Sequence, residues 1–264
     1  MNALECRFSM SFENGIPTLY FENSMKRIWP MEVHKYVTHL FQTSSDLEVV
    51  LNLCDTSDLH ESLVIKDLIL HPSEKRHASS VTVELFETAN VQNSVSVPRI
   101  LLEAPITDDS KLFTIPNVSI RCDQWILPHQ LALFTIQNAR LFISFVTGAS
   151  VNAFLKNWLN SDSPQLESIV VEGYSHFTVM YQAPERMYDG LFDGIETSKW
   201  DPKKRQSRYV PKASFGNERQ YFFDHLDCTN ATDIERSDGL LASVRIQGTF
   251  FLMFVWHERF SDAL

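Results

Sequence analysis

The sequence predicts an α/β protein built from repeated strand–helix units, with an antiparallel hairpin at each end, and three observations lead there. First, residues 150–172 read as one helix feeding one strand. Ser150 is placed to cap the helix, and Val151, Leu155, Trp158 and Leu159 recur three and four apart along one face. Asn-Ser-Asp-Ser-Pro then stops it, and Ile169 and Val171 alternate with Ser168, Val170 and Glu172 as a half-buried strand does. Second, strand-like runs return at intervals of roughly 18 to 28 residues with short helical stretches between the later ones, near the period of leucine-rich repeats. The Leu-x-x-Leu-x-Leu-x-x-Asn ladder itself is absent, so the expected architecture is an irregular, leucine-rich-repeat-like solenoid; an ordinary layered α/β domain stays open beside it. Third, alternating or continuous apolar runs flank tight turns near both ends.

Taken in order, residues 3–22 read as the first hairpin. Leu4, Cys6, Phe8, Met10 and Phe12 alternate with more polar neighbours, Glu13-Asn14-Gly15 turns the chain, and Thr18 to Phe21 return. Pro30 opens an amphipathic helix carrying Val33, Tyr36, Val37, Leu40 and Phe41 on one face. Strands are expected at 47–53, 81–86, 99–103, 117–121, 140–145 and 168–172, and helical stretches at 107–114, 127–136 and 151–160. Ala183 to Ile195 reads as a short helix broken by Gly190 and Gly194, and residues 199–219 as a polar, basic loop. The closing hairpin runs from Asp233–Arg236 through a Ser237-Asp238-Gly239 turn to Leu241–Gln247, then to Phe250–Trp256. That last strand is apolar at almost every position and so needs cover on both faces.

Composition narrows the function. With 264 residues and 44% apolar content the chain has enough material for a sizeable core. Its apolar runs are interrupted well short of a bilayer span, and the start has no secretory pattern, so an intracellular protein, cytoplasmic or nuclear, is expected, with no membrane partner. Cys6, Cys54, Cys122 and Cys228 are scattered, which suits reduced thiols better than disulfides or zinc. A formal charge of −10 argues against a phosphate-backbone binder, so no nucleic-acid partner is expected.

Catalytic and metal-binding readings find little support. His34 and His39 are five apart, whereas two ligands on one helix face need a spacing of four. There is no Gly-x-Ser-x-Gly elbow, no glycine-rich phosphate loop and no Cys-x-x-Cys. Asp108 and Asp109, and Glu185 with Asp189 and Asp193, are carboxylate groups best read as solvated helix ends. The run Lys203-Lys204-Arg205-Gln206-Ser207-Arg208 matches a nuclear import signal or a patch for an acidic partner, though a solvated loop is the simpler reading. Asn117-Val118-Ser119 and Asn230-Ala231-Thr232 match the glycosylation sequon, which an intracellular chain does not use. No catalytic, cofactor or metal residue is therefore assigned, and a non-enzymatic role is expected.

Two separated patterns carry a family resemblance. Asn152, Phe154, Leu155, Lys156 and Trp158, followed by Pro164, Leu166 and Glu167, resemble the helix-to-strand core of the type-2 F-box-associated domain of the large nematode F-box protein family. Trp125-Ile126 to Phe134 and Ala139 to Phe145 look like the helix and strand preceding that core. Asp233-Ile234, Arg236, Asp238-Gly239, Ala242, Val244 and Phe254-Val255-Trp256 look like its closing hairpin. The resemblance assigns 113–256 to that domain and closing hairpin, and 1–112 to the N-terminal part of the F-box-associated region. It implies the substrate-binding part of a ubiquitin-ligase receptor, holding an unknown protein partner. No segment resembles an F-box, so the Skp-type adaptor and cullin are expected only through indirect contact. A ligase receptor that recruits the adaptor indirectly and an unrelated α/β enzyme remain alternatives. Binding is expected at the exposed sheet edge and at loops between 173 and 220.

Trp158 and Trp256 fall at family positions and read as buried scaffold. Trp158→Ala is expected to cost about 3–5 kcal/mol through lost burial and a cavity, measured by chemical denaturation. A variant as stable as the wild type would place this helix face in solvent.

Overall fold

Between residues 48 and 174 the strands of this chain lie side by side in the order in which they occur in the sequence. The computed structural model describes residues 8–13, 16–21, 48–52, 64–71, 86–87, 90–97, 106–121, 126–162, 165–174, 184–210 and 226–257. Strands β1 (Phe8–Glu13) and β2 (Ile16–Phe21) form the expected antiparallel hairpin as a separate two-stranded sheet. Strands β3 (Glu48–Asn52), β4 (Val64–His71), β5 (Asn90–Val97), β6 (Asn117–Ile120), β7 (Asn138–Ser144) and β8 (Ser168–Tyr174) pair parallel, each with the next. The sheet then turns antiparallel. Strand β9 (Ser198–Lys199) becomes its far edge, β10 (Arg208–Tyr209) pairs with β11 (Leu226–Asp227) in a second small sheet, and β12 (Thr232–Glu235), β13 (Leu241–Gln247) and β14 (Phe250–Trp256) complete a ten-stranded sheet in the order β3-β4-β5-β6-β7-β8-β14-β13-β12-β9. The result is a mixed α/β fold dominated by one large sheet.

Burial follows the period-two pattern. Val95, Val118, Ala139, Ile169, Met253 and Val244 form one register row, each no more than 1% exposed, facing the main core. Ile120, Leu141, Val171 and Phe251 form the next row of that core. Each of these side chains larger than Ala139 stabilises the fold by about 1.5–3 kcal/mol. Leu252 and Phe254 point the other way into a second cluster with Val170, Tyr209 and Cys228. The apolar run of β14 is thus covered on one face by the main core and on the other by the second cluster, and its two edges are paired with β8 and β13.

Helix α1 (Gly148–Asn160) packs Val151, Phe154, Leu155 and Trp158 into the main core, and Trp158 is 5% exposed. Its start differs from the sequence expectation. Thr147, not Ser150, is the cap: its hydroxyl accepts from the Ser150 N–H at 3.3 Å, and the Ser150 hydroxyl accepts from the Thr147 N–H at 3.0 Å. This reciprocal pair satisfies two donors and lets the helix begin earlier. The stretches expected at 107–114 and 127–136 are short 3-10 helices, Lys111–Thr114 and Pro128–Leu133. The segment from Ala183 likewise holds a 3-10 turn at Pro184–Tyr188, broken afterwards by Gly190 and Gly194 at φ 76° and 71°.

The first half departs further. Phe86 and Glu87, at the end of the strand expected at 81–86, are helical. The segment expected at 99–103 lies outside the described residues, as do the helix on Pro30, His34, His39, Cys6, Cys54 and Cys122. The strands fall instead on Val64–His71 and Asn90–Val97, whose Lys66, Asp67, Asn93 and Ser94 hide the apolar alternation.

Those polar residues are used. Asp67, Ser94, Asn117, Asn138 and Ser168 share one register row across five strands. The Ser168 hydroxyl donates to Asn138 Oδ1 at 2.6 Å, and Asn138 Nδ2 donates to Asn117 Oδ1 at 3.0 Å. Asn117 Nδ2 donates to Asn93 Oδ1 at 3.1 Å, and Asn93 Nδ2 to Asp67 Oδ1 at 2.6 Å. The Ser94 hydroxyl also donates to Asp67. Asn138, 2% exposed, both gives and takes in this ladder. Asn138→Ala leaves its partners unmatched and is expected to cost about 1–3 kcal/mol, seen as a lower denaturation midpoint with an unchanged slope.

Candidate binding surface

The basic run expected to be a solvated loop is anchored in the interior. Asp201 starts a turn, its carboxylate accepting from the Lys203 N–H at 2.9 Å and its carbonyl from the Lys204 N–H at 2.9 Å. The turn aims Arg205 inward. Arg205 and Asp233 side chains are each 1% exposed and paired through Arg205 Nε at 2.9 Å and Nη2 at 2.8 Å. Two further guanidinium N–H groups reach the carbonyls of Gln206 at 3.0 Å and Cys228 at 2.9 Å. Asp233 also accepts from the Ser243 hydroxyl at 2.8 Å, which accepts in turn from Trp256 Nε1 at 2.8 Å. The Trp256 ring lies 5.2 Å from the Arg205 guanidinium carbon. Lys203, Lys204 and Arg208 remain exposed.

This network seats the segment on the second face of the sheet. Tyr209 packs 4.7 Å from Phe254 and edge-on to Trp256 at 5.2 Å, and its hydroxyl donates to the Glu167 carbonyl at 3.0 Å. Burial pushes the Cys228 thiol up to about 11, so it is protonated and inert near neutrality.

A different feature faces solvent. Phe145 is 62% exposed with φ 60°, the left-handed region that costs a bulky residue about 1–3 kcal/mol. The geometry on either side imposes it. Ser144 ends β7, Val146 is 2% exposed, and Thr147 is fixed as the helix cap, so residue 145 must reverse the chain while its ring stays outside. The helix start is equally constrained: a Cβ on Gly148 would come within 1.9 Å of the Asp189 carbonyl oxygen. Asn152 Nδ2 donates to the carbonyls of Leu191 at 2.9 Å and Asp193 at 3.0 Å, tying the 189–194 turns to α1. Phe145 therefore projects from a rigid mount.

The carboxylates separate. Asp108 is exposed and accepts from Gln130 Nε2 at 2.7 Å and pairs with His129 Nε2 at 3.3 Å; the Gln130 bond, ahead of His129, holds its carboxyl below the usual range. Asp109, Asp189 and Asp193 are exposed, and the Glu185 side chain lies outside the described residues. No group of three or more potential metal ligands occurs among the described residues. Asn117 is engaged in the ladder and Asn230 is exposed. Arg236 lies over the Trp158 ring at 5.5 Å and pairs with Asp238, whose carboxyl is drawn down to about 2 chiefly by that hydrogen bond. The sequence reading missed Arg205 because it sits among cations that do stay in water, and Phe145 because no Gly or Asn marks the left-handed position.

No family model matches the chain, and no solved structure matches it. A Caenorhabditis elegans protein described as "Uncharacterized protein F59B2.8" is 24% identical over 249 residues, which is 88% of this chain and 51% of that protein. The chain thus spans about half the length of this relative. Among the described residues no helix is long and apolar enough to cross a membrane.

Asp233→Ala leaves the Arg205 charge buried without its partner and is expected to cost about 3–5 kcal/mol, measured by equilibrium unfolding. Asp238→Ala takes one partner from the buried Arg236 side chain, 4% exposed, and the acceptor from the Leu240 N–H; because Asp238 itself is half exposed, it is expected to destabilise less than Asp233→Ala in the same measurement.

Proposed function

We propose that this chain is a non-catalytic protein-interaction module, resembling the substrate-binding part of F-box ubiquitin-ligase receptors, in which a leucine-rich-repeat-like scaffold presents fixed recognition residues. The observation that carries this reading is Phe145: a large aromatic side chain held in water by a strained backbone that its surroundings over-determine. Aromatic residues on rigid supports are the usual anchors of protein interfaces. The in-order parallel strands support the repeat-like scaffold, because each unit buries its face against the next. The resemblance of 113–256 to the type-2 F-box-associated domain and the likeness to a nematode protein point the same way. The partner is an unknown protein; contact with a Skp-type adaptor and cullin is indirect. Neither a cofactor nor a metal is part of this reading, and the place of action is inside the cell.

Phe145→Gly separates binding from folding. Glycine relieves the left-handed strain, so stability is expected to hold or rise by up to about 1 kcal/mol. Partner retention, read by quantitative mass spectrometry after gentle purification of the tagged chain from its native cells, is expected to fall about tenfold or more. Unchanged recovery of the same partners by the variant would refute Phe145 as the anchor, and absence of any reproducible partner of the wild type would refute the module.

A further inference from the structure

The one dense cationic run of this acidic chain carries a hydroxyl in its middle. Lys203, Lys204, Arg205 and Arg208 bring four positive charges within six residues of a protein whose formal charge is −10. Ser207 is half-buried, its hydroxyl forms no hydrogen bond among the described residues, and its carbonyl accepts from the Cys228 N–H at 2.6 Å. Lys203 and Lys204 are exposed, four and three residues before it, and Arg208 follows directly, also exposed. The Lys204 ammonium pairs with Glu235 at 3.2 Å, with both side chains nearly half exposed, so it is easily released. Arg205, two residues before Ser207, is locked on Asp233.

We propose that Ser207 is a phosphorylation site for a serine kinase that selects basic residues on the N-terminal side of its acceptor, and that the Arg205–Asp233 pair controls access to it. Such kinases bind their substrates as extended chain, with acidic groups of the enzyme reading the cations. Lys203 and Lys204 are available for that reading in the folded state. Extended binding around Ser207 also requires the segment to lift locally, which breaks the buried Arg205–Asp233 contacts and withdraws Tyr209 from its aromatic neighbours. Lifting frees Arg205 to join the recognised sequence.

The chemistry is an ordinary transfer from ATP with Mg²⁺. The Ser207 Oγ forms a bond to the γ-phosphorus as the bond to the bridging oxygen of ADP breaks; the hydroxyl proton passes to a base of the kinase, and ADP leaves. The product carries close to two negative charges near neutrality. Three strong acceptor oxygens then stand among Lys203, Lys204 and Arg208 and compete with Asp233 for Arg205. Phosphorylation thereby favours the lifted segment over the seated one, a regulatory effect separate from Phe145.

The test uses the purified full chain, ATP with Mg²⁺, and the catalytic subunit of the cyclic-AMP-dependent kinase as probe, with phosphate located by peptide mass spectrometry. Phosphate at Ser207 is expected in the wild type and absent in Ser207→Ala. Asp233→Asn, which weakens the lock, is expected to raise the initial rate about tenfold. Ser243→Ala loosens Asp233 more gently and serves if Asp233→Asn does not fold; it is expected to raise the rate by a smaller factor. Replacing Lys203 and Lys204 by Gln is expected to lower the rate severalfold without altering the unfolding midpoint, which a purely structural role would not do. Lack of phosphate at Ser207 in the wild type and loosened variants would overturn the site. Equal rates in wild type and loosened variants would overturn control by the ion pair.

Discussion

A single register row holds the parallel strands β4 to β8 of the large sheet in alignment. Apolar rows fix which face of each strand is inward, but adjacent apolar positions are chemically alike and tolerate sliding by two residues. The row of Asp67, Ser94, Asn117, Asn138 and Ser168 does not, because a slip leaves its donors and acceptors unmatched. Its hydrogen bonds also run one way, from Ser168 through the two central asparagines and Asn93 to the carboxylate of Asp67. Aligned amide dipoles reinforce one another, and an acceptor-only group at the receiving end suits that direction. Strand order, the placement of α1 against the sheet and the position of Phe145 at the end of β7 all presuppose this alignment.

The two faces of the sheet are held by different physics. The main face is closed by apolar packing from α1 and the 3-10 turns, where many small contacts add up. The second face is closed at its antiparallel end by one concentrated polar device, the Arg205–Asp233–Ser243–Trp256 network, surrounded by Tyr209, Phe254 and Cys228. A buried ion pair contributes little net stability against an apolar alternative, yet it is unforgiving of the loss of one partner. What it adds is definition: Arg205 can reach Asp233 and the carbonyls of Gln206 and Cys228 together only when the segment sits in one position.

How much of this can be read from the chain depends on whether a residue's environment is set locally or by distant neighbours. The closing hairpin, β6, β7, β8, the first hairpin and the buried face of α1 follow from alternation, turns and helical spacing, all local signals. The strands at Val64–His71 and Asn90–Val97 escape because their polar residues are satisfied by partners on other strands, as Asp67 is by Asn93 and Ser94. Pattern alone reads such residues as solvated. The same blindness applies to Arg205, whose partner Asp233 is far away in sequence, and to the cap of α1, where Ser150 and Thr147 both carry suitable hydroxyls and only geometry decides between them. Phe145 is unreadable for the opposite reason: nothing in its type announces a left-handed backbone, which is forced by a capped helix starting immediately after a buried residue.

The interior position of β14 has a consequence for the order in which the chain can mature. During synthesis, β3 to β8 emerge in the order in which they pair, so each new strand finds its neighbour already made. Growth then stops at β8, whose free edge waits while β9 to β13 are produced, since its partner is Phe250–Trp256. Until the ribosome has passed Trp256, Ile169 and Val171 lack the strand that covers their flank, and an apolar edge stands open to other chains. The nascent protein is therefore most vulnerable to misassembly just before β14 arrives, and a holdase that shelters the β8 edge over that interval would act where protection matters most.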